Sequence, residues 1–133
     1  MLGGTSGERS ISLETGKACI KALKKKKYQV STFDPKYMNF NQIDQFKVDV
    51  IFNALHGKDG EDGVAQSYFE CLRIPYTHSG IISSYNAMNK IISKEIFIKN
   101  KILTPKYFDL NKDRYNDTFL KNLIKAKDLS FPI

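Results

Sequence analysis

The chain has 133 residues, enough for one domain with its own hydrophobic core and the beginning of a second. Hydrophobic residues make up 41% and charged residues 26%, which is typical of folded domains and excludes a chain that is disordered throughout. The formal net charge of +7 raises the alternative of a nucleic-acid-binding domain. However, the densest basic run, residues 24–27, lies where a helix is predicted to end, so we favour a solvated basic surface and expect no nucleic-acid partner.

The two cysteines and the first residues of the chain indicate the cellular compartment of the protein. Cys19 and Cys71 are far apart in apolar helical stretches and fit no metal or redox spacing, so we predict two buried free thiols. The residues after Met1 are polar and glycine-rich, unlike a secretory segment, and no apolar run approaches the length of a membrane span. We therefore expect a cytoplasmic protein without membrane contact.

A turn and a helix are predicted at the start of the chain. Residues 3–7, Gly-Gly-Thr-Ser-Gly, have the composition of a turn that follows a strand, of which two residues precede it. Ser10 or Ser12 is the expected cap of the helix, and Glu14 is expected in its first turn. The helical spacing places four residues on one face: Leu13, Gly16, Ile20 and Leu23.

The remaining elements alternate between strands and helices. Strands are predicted over residues 28–33, 48–54, 74–77 and from 131 onward, and the nearly continuous apolar run 48–54 favours a strand covered on both faces. Helices are predicted over residues 64–72, 83–88, 89–100 and from Asn116 or Asp117, with a loop or short helix over 36–47 and an extended segment over 103–110. This order predicts an α/β fold with a doubly wound, mostly parallel sheet, helices on both faces and a truncated first strand.

Two glycine-rich loops follow predicted strands, and ligands bind at the carboxyl ends of strands in such sheets. The first, residues 3–9, places Glu8 ahead of a helix. The loop is interpreted either as a plain tight turn or as a phosphate cradle, and Glu8 either as a helix cap or as a carboxylate that binds an ammonium group.

The second loop, residues 56–63, is the stronger candidate for a ligand site. It contains His56, three glycines and the carboxylates of Glu61 and Asp62 directly after a predicted buried strand. A metal site stays an alternative, although no second histidine or cysteine stands at ligand spacing, and His78 could reach the loop only through folding.

Four segments in order resemble the D-alanine–D-alanine ligase family. They are Gly-Gly-Thr-Ser-Gly-Glu-Arg-Ser-Ile-Ser-Leu at 3–13, His-Gly-Lys-Asp-Gly-Glu-Asp-Gly at 56–63, Ile-Pro-Tyr-Thr-His-Ser-Gly at 74–80 and Ala-Met-Asn-Lys at 87–90. The resemblance implies an amino-terminal, Rossmann-like domain over residues 1–101 and the linker and opening elements of an ATP-grasp domain over 102–133. It also implies a family that commonly forms homodimers.

The resemblance further implies ATP-dependent joining of two D-alanines through an acyl phosphate, for peptidoglycan precursors. Glu8, as the catalytic and substrate-binding residue, would hold the ammonium of the first D-alanine, with His56 beside it. Lys90 would contact ATP phosphate. Four residues would shape and support the second loop: Gly57, Gly60, Glu61 and Gly63. ATP and Mg²⁺ or Mn²⁺ are expected in the full-length enzyme, with no metal ligand in this chain.

Two positions depart from the family pattern, His78 where glycine is usual and Asn89 where aspartate is usual. The family's central and carboxyl-terminal domains, which supply most ATP and magnesium ligands, would follow Ile133, so we expect the isolated chain to lack ligase activity. The alternatives are a ligase that takes D-lactate or D-serine as its second substrate, and an α/β binding module without catalysis.

Overall fold

The computed structural model describes residues 1–110 and 116–129. The chain forms two compact units, Met1–Asn89 and Lys90–Ile133. The first unit contains α1 (Arg9–Lys25), a 3₁₀ helix (Phe40–Phe46), α2 (Val64–Cys71) and α3 (Ile81–Met88). The second contains α4 (Lys90–Lys99) and α5 (Asp117–Ala126). The functional assignment of residues 1–101 and 102–133 to two domains stays a prediction, and the strand predicted from 131 lies outside the described residues.

The helix predicted after the first loop is confirmed as α1, but the capping prediction was wrong. The helix begins at Arg9, with Glu8 at its N-cap, so Glu14 lies beyond the first turn. Ser12 is buried, and its hydroxyl accepts a hydrogen bond from the Gly3 N–H (2.7 Å) and donates one to the Ala54 carbonyl (2.6 Å). The serine therefore ties three segments of the chain together instead of capping the helix.

The prediction of a doubly wound α/β sheet was wrong. Within the described residues the structure is mainly helical, and the β pairing consists of one isolated parallel bridge between Ile51 and Tyr76. The segment 28–33 forms no strand. The run 48–54 is not covered on both faces either, since Val50 is 58% exposed and Phe52 is 38% exposed.

The extended segments do lie beside one another, but side chains take the backbone donors that a ladder needs. The Ile51 N–H donates to the Pro75 carbonyl at 2.8 Å, and the Thr77 N–H donates to the Ile51 carbonyl at 3.0 Å. The next donor, the Asn53 N–H, bonds to the Thr77 hydroxyl, and the Leu55 N–H bonds to the Asn53 side chain. Apolar patterning indicates which residues are buried, whereas a ladder also requires backbone partners at every second position.

The core of the first unit is small and aromatic. Phe69 on α2 is fully buried, and its ring centroid lies 5.2 Å from that of Tyr76. Phe33 packs edge-on against Phe46, with ring centroids 5.7 Å apart. The buried cluster consists of Phe33, Ile43, Ile51, Leu55, Ala65 and Phe69. This core holds the second glycine-rich loop between the segment 51–55 and α2.

Several predictions of helices and caps are confirmed, and one on cysteines is not. The helices α2, α3, α4 and α5 lie where the periodicity places them, and the Asn116 side chain caps α5 by accepting from the Phe119 N–H at 2.8 Å. Both cysteines are free, but Cys71 is exposed and Cys19 only partly buried. None of the helices in residues 1–110 and 116–129 has the length and apolarity needed to cross a bilayer.

His78, one of the two departures from the family pattern, has a left-handed backbone conformation with φ of +83°. A Cβ atom is strained in that region, whereas glycine adopts it freely. We expect His78→Gly to be about 1 kcal/mol more stable than His78→Ala, because both lose the imidazole and only alanine keeps the Cβ. Urea denaturation of the two variants measures the difference. Equal stabilities would contradict the assigned backbone conformation.

Candidate functional site

The structure brings Glu8, His56 and Glu61 together. Glu8 stands at the amino end of α1, and the other two residues belong to the loop 56–63. One carboxylate oxygen from each glutamate and one ring nitrogen of His56 all lie within 4.8 Å of one another. The two glycine-rich loops therefore meet and form one candidate site, and the family resemblance had implied that they would.

The first loop is folded by side chains that bond to its backbone. The Gly3 N–H donates to Ser12, the Gly4 N–H donates to Asp34 (3.0 Å), and the Glu8 N–H donates to the Ser6 hydroxyl (3.2 Å). These donors are occupied within the chain. The loop is thus better described as a tight turn that presents Glu8 than as a cradle for phosphate.

Arg9 and Asp34 brace this turn from outside. The Arg9 guanidinium donates two hydrogen bonds to the Asp34 carboxylate, at 3.0 and 2.7 Å, and a third to the Gly4 carbonyl at 2.7 Å. Burial raises the pKa of Asp34, but hydrogen bonds from Arg9 and from the N–H groups of Lys36 and Gly4 outweigh it, so the net shift is downward. The hydrogen bond to Asp34 raises the pKa of Arg9.

The lowered pKa of Asp34 predicts an acid-sensitive contribution to stability. A carboxyl group with a lower pKa in the folded state stabilises the fold above its unfolded pKa, and this contribution is lost as the pH falls through the folded pKa. Asp34→Asn should therefore lower the free energy of unfolding at neutral pH, and should lower it much less at a pH below the folded pKa of Asp34. Denaturation of wild type and variant at neutral and at acidic pH tests this. A difference in stability that does not depend on pH would contradict it.

Buried amide side chains brace the second loop. The Gly60 carbonyl accepts hydrogen bonds from the side-chain amides of Asn53 and Gln66, both at 2.9 Å, and both residues are buried. A Cβ atom on Gly60 would overlap the Leu55 side chain. The loop therefore needs a glycine at 60, and the two amides hold it there. Neither amide was singled out from the sequence.

Glu61 is oriented by the loop it belongs to. Its Oε2 accepts a hydrogen bond from the Gly57 N–H at 2.7 Å, which leaves Oε1 facing His56 Nδ1 at 3.8 Å. Gly57 has φ of +69°, and a Cβ atom there would lie 3.0 Å from Glu8 Oε1. Glycine at 57 therefore lets the two loops approach each other.

His56 is held at three of its atoms. Its carbonyl accepts a hydrogen bond from the Ser6 hydroxyl at 2.7 Å, which ties the two loops together. Its Nε2 lies 3.3 Å from the Thr15 hydroxyl on α1, and its Nδ1 faces Glu61. The contribution of Ser6 and Thr15 was missed from the sequence, because serine and threonine near a helix start are common and carry no distance information.

Glu8 is exposed, as is Glu61, whereas His56 is partly buried. Within residues 1–110 and 116–129, no side chain or backbone N–H donates to its carboxylate, although its own N–H is bonded to Ser6. The carboxylate lies close to Gly57. An exposed carboxylate without an internal partner, next to an imidazole, is suited to binding a cationic group such as an ammonium.

The other predicted site residue, Lys90, belongs to the second unit. It is the exposed first residue of α4 and follows Asn89, which is extended between α3 and α4. Its ammonium is a point charge of the kind that contacts phosphate. Glu8 and His56 belong to the first unit.

The group of Glu8, His56 and Glu61 is a potential ligand set for a metal ion. Imidazole suits zinc, copper, iron and nickel, whereas magnesium takes oxygen ligands and water. The group supplies one imidazole nitrogen beside two carboxylate oxygens, so it fits magnesium poorly.

Comparison with known proteins gives one consistent result. Residues 33–79 match the family described as "D-ala D-ala ligase N-terminus". The chain is 53% identical to the D-alanine–D-alanine ligase of Pelagibacter ubique over 131 residues, which cover 98% of this chain and 42% of that protein. It is 44% identical to the corresponding ligase of Polynucleobacter asymbioticus over 83% of this chain and 33% of that one.

Solved structures agree with the sequence comparisons. The D-alanine–D-alanine ligase of Bacillus anthracis, complexed with ATP, aligns over 94% of this chain and 52% of its own, with a TM-score of 0.71 and 32% identity. The ligase of Coxiella burnetii aligns over 94% of this chain and 48% of its own, with a TM-score of 0.79 and 20% identity, which speaks for the fold alone. The chain spans less than half the length of the curated relatives that it matches, between 31% and 42% for those compared.

Proposed function

Because the chain belongs to the D-alanine–D-alanine ligase family and matches its N-terminal part, we propose that it forms the part of such a ligase that holds the first D-alanine. The observation that carries this proposal is the exposed carboxylate of Glu8 beside His56, which receives no hydrogen bond from residues 1–110 and 116–129 and lies where the two glycine-rich loops meet. Glu8 accepts hydrogen bonds from the ammonium of the amino acid. His56 lies beside the same substrate.

The proposed reaction joins two D-alanines at the expense of ATP. The carboxylate of the first D-alanine takes the γ-phosphoryl group of ATP and becomes an acyl phosphate, with ADP as the leaving group. The amine of the second D-alanine then attacks the acyl carbon, phosphate leaves, and the amine gives up a proton. In this scheme the chain contributes positioning and charge, with Glu8 and His56 at the amino acid and Lys90 at a phosphate of ATP, as is usual for phosphoryl transfer.

The proposed biological setting follows from the family. The dipeptide would enter peptidoglycan precursors, and the reaction would take place in the cytoplasm, where ATP is available. Mg²⁺ or Mn²⁺ would act with ATP in the complete ligase, and a homodimer is the proposed assembly. The bacterial ligases to which the chain is similar support the role in joining D-alanine, and the Bacillus anthracis complex supports ATP, whereas the metal, the homodimer and the cytoplasm follow from the family resemblance alone.

A chimera tests the proposal. It joins residues 1–133 of this chain to the rest of the Pelagibacter ubique ligase, whose matching part is 53% identical. We expect this chimera to release phosphate only when ATP and D-alanine are both present and to form the D-alanyl dipeptide. The intact Pelagibacter ubique ligase is the positive control. A folded chimera that releases no phosphate with D-alanine, while the control is active, would overturn the proposal.

A further inference from the structure

The imidazole of His56 is held at both ring nitrogens by groups that the proposed reaction does not assign. Thr15, a partly buried residue of α1, has its hydroxyl 3.3 Å from Nε2. Glu61 faces Nδ1 with its Oε1 at 3.8 Å. A neutral imidazole carries one proton, and the partner of each nitrogen decides which nitrogen keeps it.

The partner at Nδ1 is a pure acceptor. Glu61 Oε2 is already bonded to the Gly57 N–H at 2.7 Å, so the orientation of the carboxylate is fixed and Oε1 faces the ring. An ionised carboxylate has no proton to donate. At 3.8 Å it acts on the ring through its negative charge, which favours a proton on Nδ1.

The partner at Nε2 completes the assignment. A threonine hydroxyl can donate or accept, and it rotates to suit its neighbour. When the proton is on Nδ1, the lone pair is on Nε2, and the Thr15 hydroxyl donates to it. We infer that Glu61 and Thr15 together hold neutral His56 in the Nδ1–H tautomer, and that Thr15 is a positioning residue of the site.

This tautomer has a consequence for recognition, which rests on the proposed function. The Nδ1–H is directed at Glu61, so the ring gives no hydrogen bond to Glu8, the third member of the group. The Glu8 carboxylate then stays an acceptor for the ammonium of an amino acid.

The other histidine provides an internal contrast. His78 Nδ1 lies 2.9 Å from the Thr77 hydroxyl, and that hydroxyl oxygen already accepts from the Asn53 N–H. The hydroxyl keeps its own proton to donate, and we expect it to donate to His78 Nδ1, with the ring proton on Nε2. The two histidines of the chain are expected in opposite tautomers.

Two-bond ¹H–¹⁵N correlation spectra of the 133-residue chain, labelled at histidine and recorded at alkaline pH, read both tautomers. His78→Gly assigns the signals by removing one set. For His56 we expect a pyrrole-type shift at Nδ1 and a pyridine-type shift at Nε2, with the reverse pattern for His78. A pyrrole-type shift at His56 Nε2, or averaged shifts at both nitrogens, would overturn the inference.

Glu61→Gln gives the sharpest test. The glutamine oxygen must keep the Gly57 N–H, which leaves the NH₂ group facing His56 Nδ1 as a donor. We expect the ring to switch to the Nε2–H tautomer and to donate to Thr15. Unchanged shifts in this variant would contradict the role assigned to Glu61.

Thr15 is tested by a pair of substitutions. Thr15→Val removes the hydroxyl and keeps the shape, so the Nε2 shift should move and the tautomers should mix, whereas Thr15→Ser should restore the wild-type pattern. Identical spectra for the valine and serine variants would rule out the positioning role of Thr15. These spectra need neither ATP nor D-alanine, so a wrong tautomer refutes the inference alone, and an inactive chimera refutes the proposed function alone.

Discussion

Replacing Glu8 by glutamine in the chimera is expected to lower kcat/KM for D-alanine by about 10- to 100-fold, because a hydrogen bond to a charged group contributes about 1.5–3 kcal/mol. The carboxylate of Glu8 has no donor from the described part of this chain, so its neutralisation should leave the loops intact. The loss of its favourable interaction with the dipole of α1 costs at most about 1 kcal/mol of stability. Steady-state phosphate release at varied D-alanine concentration, together with thermal unfolding, measures both effects.

Glu14→Gln is the matched control for that substitution. Glu14 is an exposed glutamate on α1, and it does not belong to the group around His56. The same change of charge at this position should leave kcat/KM within about twofold, as expected for a surface substitution with an effect below about 0.5 kcal/mol. Equal activity losses in the two variants would show that the effect of Glu8→Gln comes from net charge and not from a bound ammonium.

Phe69→Ala is expected to lower the free energy of unfolding by about 3–5 kcal/mol, the usual cost of truncating a buried aromatic residue. Phe69 is fully buried on α2, packs against Tyr76, and belongs to the core cluster with Phe33 and Leu55. Since small domains are stable by only about 5–15 kcal/mol, this loss removes a large share of the stability of the first unit. Urea denaturation followed by circular dichroism measures it.

Phe119→Ala supplies the comparison, because Phe119 is 48% exposed on α5. The same chemical change there should cost less than about 1 kcal/mol, since little apolar surface is lost from a packed environment. Similar costs for the two substitutions would mean that the aromatic cluster around Phe69 does not form the core.

The sequence predicted the helices well and the sheet badly, for a physical reason. Helical periodicity uses contacts within one segment, so α1, α2 and α5 follow from local spacing. A sheet requires each backbone donor to meet a carbonyl of another segment. Instead, the Asn53 N–H donates to the Thr77 hydroxyl, and the Gly3 N–H donates to the Ser12 hydroxyl. The pattern of apolar residues does not predict such side-chain acceptors.

The candidate site likewise contains residues that the sequence predicts and residues that it does not. Glu8, His56 and Glu61 could be singled out because charged and imidazole side chains are conspicuous in glycine-rich loops, and the family resemblance relates the loops to each other. Thr15 could not be singled out, because its partner His56 lies 41 residues away along the chain. Gln66 could not be singled out either, because its partner, the Gly60 carbonyl, is in place only once the loop is folded. A buried amide bonded to the Gly60 carbonyl is recognisable only once the loop is folded.

The most direct measurement of the central claim, that Glu8 and His56 hold the first D-alanine, is a crystal structure of the chimera with D-alanine and a non-hydrolysable ATP analogue. We predict an amino acid whose ammonium nitrogen lies about 2.7–2.9 Å from a carboxylate oxygen of Glu8, the usual length of a charge-assisted hydrogen bond, and whose other atoms contact His56. D-alanine bound elsewhere, with the Glu8 carboxylate in contact only with solvent or protein, would contradict the claim.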